Sequence, residues 1–180
     1  MRAFIAVNLD RQIRDELVRL QQRLAKKVKG FRWTKGELLH ITLRFLGEIE
    51  PLALSSIAGA LEKVGQNTPS FSLSFSGLCA FPAVSKLRVI WIGLGEGETE
   101  LAGLARDVCT ALQETASSFV PHLTIARSKK NEIVNASRDV LDGDWRCAGT
   151  FRVESFSLME SILYPSGPVY KELKKFFLNN

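Results

Sequence analysis

The chain has two histidines, and both open the same four-residue pattern. His40 begins His-Ile-Thr-Leu, and His122 begins His-Leu-Thr-Ile. Eight of the 180 residues are threonine, so chance would place Thr two residues after both histidines in about one chain in 500. In an extended strand residues i and i+2 project to the same side. Each motif therefore puts a His and a Thr on one face and two apolar side chains on the other. Two copies of such a half-buried strand constrain the chain to a duplicated architecture, with both polar faces turned toward a shared cleft.

The remaining hydrophobic pattern repeats in the same order. Phe4 to Val7 reads as a strand and Asp10 as an N-cap. Ile13, Leu17, Leu20, Leu24 and Val28 then form one helical face, stopped by Gly30. The first motif strand runs from Leu38 to Leu46 and ends at Gly47. Pro51 opens a second helix carrying Leu54, Ile57, Leu61 and Val64. Phe71, Leu73 and Phe75 alternate with serines as one half-buried strand. The second half gives a strand over Leu87 to Leu94, a glycine-rich turn, and a helix carrying Leu101, Leu104, Val108 and Leu112. Pro121 introduces the second motif strand, which runs through Arg127. A short helix over Ile133 to Leu141 and a long strand over Phe151 to Met159 complete the pattern. The reading is strand, helix, motif strand, helix, strand, written twice: an α+β fold. It predicts one domain over residues 1–180 with halves of about 1–82 and 83–180.

The composition, 46% apolar and 24% charged, is that of an ordinary globular protein. No stretch approaches the roughly 18–20 apolar residues of a membrane helix, and the apolar run closed by Asp10 is short for a signal peptide. Cys79, Cys109 and Cys147 are sparse and odd in number, which favours reduced core thiols and a cytoplasmic setting. The net charge is +5, and it is uneven. Ten Lys or Arg fall between Arg11 and Arg44 against Asp15, Glu16 and Glu37, and Lys129 and Lys130 follow the second motif. Most of this is expected to be a solvated helix face, but it favours a phosphate-bearing partner.

Two imidazoles beside two hydroxyls suit a phosphate diester. A neutral imidazole takes a proton from water, and a protonated one gives a proton to the leaving oxygen. Thr42 and Thr124 can donate to non-bridging oxygens, and an arginine can do so with charge. Arg44, at +4, continues the face of His40. Arg127, at +5, reaches the cleft only where its strand bends. No cofactor is needed, and no metal is expected, because the motifs lack a third ligand. The near symmetry of the halves leaves open which histidine is acid and which base.

Trp33 with Leu39-His40-Ile41-Thr42-Leu43-Arg44-Phe45-Leu46-Gly47, and Phe119-Val120-Pro121-His122-Leu123-Thr124-Ile125-Ala126-Arg127, resemble the two-histidine (2H) phosphoesterases. The likeness extends to Arg2-Ala3-Phe4-Ile5-Ala6, to Phe81-Pro82, and to Ser161-x-x-x-Pro165-x-Gly167-x-x-Tyr170. It is strongest to the RNA 2′,3′-cyclic phosphodiesterases formerly called 2′-5′ RNA ligases. The resemblance implies a bilobal fold with antiparallel sheets around a central cleft and helices outside. It implies hydrolysis of a 2′,3′-cyclic phosphate RNA end to a 2′-phosphate, with joining of 2′-5′ linkages in tRNA fragments as a related activity. On that pattern His40 is the proton donor and His122 the proton acceptor, with Thr42, Thr124 and Arg127 on the phosphate.

Trp33, Phe45 and Phe81 are candidates to stack an unpaired base; core packing is the preferred expectation for Phe45. Tyr170 either lines the cleft or anchors the last strand. The expected partner is an RNA end, with no membrane, and the chain is expected to be a monomer. The alternatives are a non-catalytic RNA- or nucleotide-binding module and a 2H enzyme for a small cyclic nucleotide.

Overall fold

The computed structural model describes residues 1–83, 85–114, 119–135 and 149–180. Strand β1 (Arg2–Asn8) leads into helix α1 (Arg11–Lys27), whose first turn is capped by the Asp10 carboxylate accepting from the Ile13 N–H at 2.8 Å. A three-residue strand β2 (Phe31–Trp33), invisible in the hydrophobic pattern, precedes the first motif strand β3 (His40–Glu48). Helix α2 (Leu54–Asn67) follows, then β4 (Phe71–Leu73), β5 (Phe75–Ala83) and β6 (Lys86–Leu94). Helix α3 (Glu98–Ala111) leads to the second motif strand β7 (Leu123–Ser128). The short strands β8 (Val134–Asn135) and β9 (Phe151–Val153) come next, and β10 (Ser155–Tyr164) and β11 (Gly167–Phe177) end the chain.

The strands assemble into an antiparallel sheet of order β11-β10-β1-β3, a second of order β2-β7-β6-β5 with β8 also on β6, and the pair β4-β9. The duplication is visible as β1-α1-β3 and β6-α3-β7, each an antiparallel strand pair spanned by a helix. The third strand of each half is exchanged. β5 joins β6, and β10 joins β1. The two runs of sequence divided near residue 82 therefore do not correspond to the two sheets. Exchange also explains two departures from the expected strands. Phe71 to Ser76 breaks at Ser74, and Phe151 to Met159 breaks at Glu154, because each run leaves the β4-β9 pair there to enter a main sheet. Alternation within one sequence run cannot reveal a change of partner.

The helix expected from Ile133 is replaced at its start by β8, where Val134 and Asn135 pair with Leu87 and Lys86. The edge of β6 beyond β7 offers hydrogen bonds to this short segment, and the β-branched Val134 favours a strand there. Residues 136–141 of that expected helix, and Cys147, lie outside the described residues.

One continuous core joins Ile5, Val7, Leu17, Leu24, Ile41, Ile90, Ile125 and Phe156. Helices α2 and α3 touch one another; α2 lies against β10 and β11, and α3 against β3. A small separate cluster of Phe4, Ala6 and Met159, with Tyr170 against it, lies on the opposite face of the first sheet. The sheet thus has a packed face and a face partly open to ligand. Among the described residues no helix is long and apolar enough to cross a membrane.

Gly97 caps α3 with φ of 80°, and a Cβ there would meet the Ser72 carbonyl oxygen at 2.0 Å. Both the left-handed backbone and the contact oppose any side chain. Gly97→Ala is expected to lower the free energy of unfolding by about 2 kcal/mol or more, measured by urea denaturation. A loss below about 0.5 kcal/mol would show that the turn relaxes freely.

Candidate active site

His40 stands at the head of β3 and pairs with Asn8 of β1, with Thr42 opposite Ala6. The ladder then skips Leu43, because Ala6 pairs with Thr42 but Ile5 with Arg44. A strand alternates faces with every residue, so one unpaired residue inverts the parity of those that follow. Arg44 consequently leaves the face of His40 and forms an ion pair with Glu114, just beyond α3. This corrects the expectation that Arg44 continues that face. Phe45 takes its place, pairing with Phe4 and lying 6.1 Å from it between ring centroids. Phe45 is 70% exposed, so it is not a core residue.

The second motif contains the same irregularity at the same step. Thr124 pairs with Trp91 and Ala126 with Ile90, leaving Ile125 unpaired in the β6 ladder. Arg127 then falls opposite Val89, on the face of Trp91 and Thr124. The bend required to bring Arg127 to the cleft is this bulge. Its carbonyl is not orphaned: the Ile125 oxygen accepts from the Thr34 N–H at 2.9 Å and from Gln21 Nε2 at 2.9 Å. Gln21, 5% exposed in the apolar stripe of α1, also donates to the Thr34 carbonyl at 2.8 Å. A buried amide with both donors satisfied stabilises the irregular backbone it binds. Gln21 and Thr34 were not legible as site-supporting residues in the sequence.

The two imidazoles are held alike. His40 Nδ1 lies 2.7 Å from the Leu38 carbonyl oxygen, and His122 Nδ1 lies 2.7 Å from the Val120 carbonyl oxygen. A carbonyl only accepts, so Nδ1 carries the hydrogen in both rings and Nε2 is the nitrogen that exchanges a proton. His40 Nε2 lies 3.0 Å from Thr42 Oγ1, which donates to the neutral ring. Burial pulls the His40 pKa below the ordinary imidazole range; the Leu38 hydrogen bond opposes this, and the nearby His122 charge adds to it. The motif strands β3 and β7 that follow the two histidines are themselves in contact.

Aromatic side chains line both histidines. Phe4 lies 5.0 Å and Tyr170 5.2 Å from His40 by ring centroids, Tyr170 edge-on. Trp91 stands edge-on to His122 at 5.9 Å. Burial pushes the Tyr170 phenol pKa up, and the Arg127 and Arg2 charges oppose this. Beside His40, Glu172 Oε2 accepts from Asn8 Nδ2 at 3.1 Å and from Ser157 Oγ at 2.7 Å. Phe4 and Trp91 were hidden in near-continuous apolar strands. Trp33 is half-buried and packs against the core, 6.4 Å from Phe31. Phe81 is exposed and pairs with Val89 on the face of Arg127. Cys109 is buried as expected, whereas Cys79 is half-buried opposite Trp91. Among the described residues no three His, Cys, Asp or Glu side chains are grouped to hold a metal.

Residues 7–91 match the family described as LigT like Phosphoesterase. A protein of Archaeoglobus fulgidus named RNA 2′,3′-cyclic phosphodiesterase is 37% identical, over 98% of this chain and 99% of its own. The chain belongs to the LigT-like phosphoesterase family. A Thermus thermophilus relative named RNA 2′,3′-cyclic phosphodiesterase is 34% identical, over 99% of this chain and 90% of its own. A solved Thermus thermophilus structure superposes with a TM-score of 0.77 at 30% identity, covering 99% of this chain and 98% of that one. Apo LigT of E. coli superposes with a TM-score of 0.75 at 25% identity, with the same coverage. The α+β fold with antiparallel sheets is thus the fold of this LigT-like family.

The environment of His40 has a direct consequence. A folded-state pKa below the unfolded value means that the unfolded chain binds the proton first as pH falls, so His40 contributes stability above about pH 6.5 that is lost on acidification. With only two histidines, proton NMR resolves both titrations, and His40→Gln assigns them. The His40 resonance is expected to titrate below 6.5 in the free protein and to move upward when inorganic phosphate binds. A free-protein value at or above 6.5 would contradict the burial argument.

Proposed function

We propose that this phosphoesterase is an RNA 2′,3′-cyclic phosphodiesterase working by paired-histidine acid–base catalysis. The observation that carries the reading is the pair of imidazoles with Nδ1 tied to a carbonyl, which leaves Nε2 as the basic nitrogen, each followed by a threonine on the same face. Relatives of the same length carry that name. The substrate phosphate sits between the two rings. Thr42, Thr124 and Arg127 donate to its non-bridging oxygens, and the guanidinium offsets charge that develops at phosphorus.

His122 Nε2 accepts a proton from water as the water oxygen attacks phosphorus. The P–O3′ bond breaks, His40 Nε2 delivers its proton to O3′, and a 2′-phosphate remains. His40 must be charged for this step, yet burial disfavours its charge in the free protein. The substrate itself supplies the correction, because an anion within about 4–6 Å favours imidazolium. Acid competence thereby arises only with phosphate in place. The exposed Phe45 ring, backed by Phe4, is a platform for the base of the terminal nucleotide.

An RNA oligomer ending in a 2′,3′-cyclic phosphate, incubated with chelator present, is expected to yield a 2′-phosphate by product analysis. A 3′-phosphate product would reverse the bond assignment, and absence of product at every pH would sink the enzyme reading. His40→Ala and His122→Ala are each expected to lower kcat by about 10²–10⁴-fold with binding largely retained. Phe45→Ala is expected to raise KM severalfold with little change in kcat, measured by steady-state kinetics; an unchanged KM would remove the stacking role.

A further inference from the structure

The bulge in β7 brings Arg127 to the cleft face, and the next strand places a second arginine directly against it. Arg32 of β2 is the Cα partner of Arg127, with Phe31 opposite Ser128 and Trp33 opposite Ala126. Directly opposed residues in a sheet project to the same face, with Cα atoms about 4.5–5.5 Å apart. Arg32 and Arg127 are both exposed. Neither has a carboxylate partner among the described residues, in contrast to Arg44 with Glu114 and Arg11 with Asp15. Opposed like charges destabilise a strand pair. Here two arginines stand directly opposite one another across β2 and β7, an arrangement that a bound anion would convert from repulsive to favourable.

Position separates the two arginines. Arg127 lies on β7, the strand that carries Thr124 and begins one residue after His122. Arg32 lies one strand further out, about 4.8 Å away, on an edge strand with no further neighbour among the described residues. A nucleic acid chain leaving the site across this edge would carry its next phosphate past Arg32. The corresponding step of the first motif is occupied by Phe45, so cationic edge and aromatic edge lie at equivalent steps of the two motifs.

We propose that Arg32, paired with Arg127, forms a subsite for the internucleotide phosphate one nucleotide upstream of the reacting end. The substrate it selects is then an oligoribonucleotide end of at least two nucleotides, rather than a nucleoside 2′,3′-cyclic phosphate. This inference rests on the phosphodiesterase reading and sharpens its substrate class.

The test compares kcat/KM for a dinucleotide ending in a 2′,3′-cyclic phosphate with kcat/KM for the matching nucleoside 2′,3′-cyclic phosphate. In the native protein the dinucleotide is expected to be preferred. Its log kcat/KM should also fall more steeply with log salt, by about 0.7 for the one additional phosphate neutralised. Arg32→Gln is expected to lower the dinucleotide-to-mononucleotide ratio by about tenfold and to abolish the extra salt dependence. Arg32→Lys, which keeps the charge, should retain most of the ratio. A ratio unchanged in Arg32→Gln, or native salt slopes that coincide, overturns the subsite while leaving the phosphodiesterase reading intact. Failure of the native protein on both substrates would instead count against that reading.

Discussion

One unpaired residue in each motif strand governs what the cleft contains. Side chains in a strand alternate, so the bulges at Leu43 and Ile125 invert the parity of everything after them. Without them Arg44 and Ala126 would face the histidines, while Phe45 and Arg127 would turn into the core. The core could not accept Arg127 without a partner for its charge, and Ala126, fully buried, would be lost from it. The bulge at Ile125 is tolerated because its carbonyl has two donors, from Gln21 and Thr34, in place of the lost ladder bond. Backbone hydrogen bonding thus decides which cation shares the face of the motif threonine.

The two halves supply matched chemistry in unmatched surroundings. Both rings have Nδ1 committed to a carbonyl two residues back, so their reactive nitrogens are equivalent by construction. Their neighbours differ. His40 is enclosed by Phe4, Tyr170 and Thr42, and desolvation holds it toward the neutral form; His122 has Trp91 at its edge. Acid and base roles therefore need not be written in the motifs. The difference between the two rings comes from what the surrounding strands bury, and on the proposed mechanism the phosphate charge acts on the more buried ring.

Exchange of strands makes each half complete the other. β10 flanks β1, β5 flanks β6, and α1 from the first half carries Gln21 to the motif of the second. Tyr170, near the end of the chain, closes against Phe4 at its beginning. Relative placement of the two histidines is consequently a property of the whole core, not of either motif strand. Small shifts anywhere along these interlocked sheets would change the spacing of the two histidines.

Much was legible in the sequence because it depends on local periodicity. The His-x-Thr-x strands, the capped helix after Asp10 and the α+β order follow from residue spacing, and the structure has them. What local periodicity cannot carry is a change of partner or of parity. The breaks at Ser74 and Glu154 look like continuous alternation because each segment alternates correctly on its own. Arg44 looked aligned with His40, and Phe45 looked buried, because counting by two assumes an unbroken ladder. Trp33 and Arg32 are sequence neighbours, yet one packs against the core and the other is exposed opposite Arg127, which only the pairing of β2 with β7 decides. The sequence by itself determined the paired His-x-Thr-x strands and the local faces of their side chains. Tertiary structure alone decided which cations and aromatics join them, because a bulge and a cross-strand partner are set by long-range hydrogen bonds.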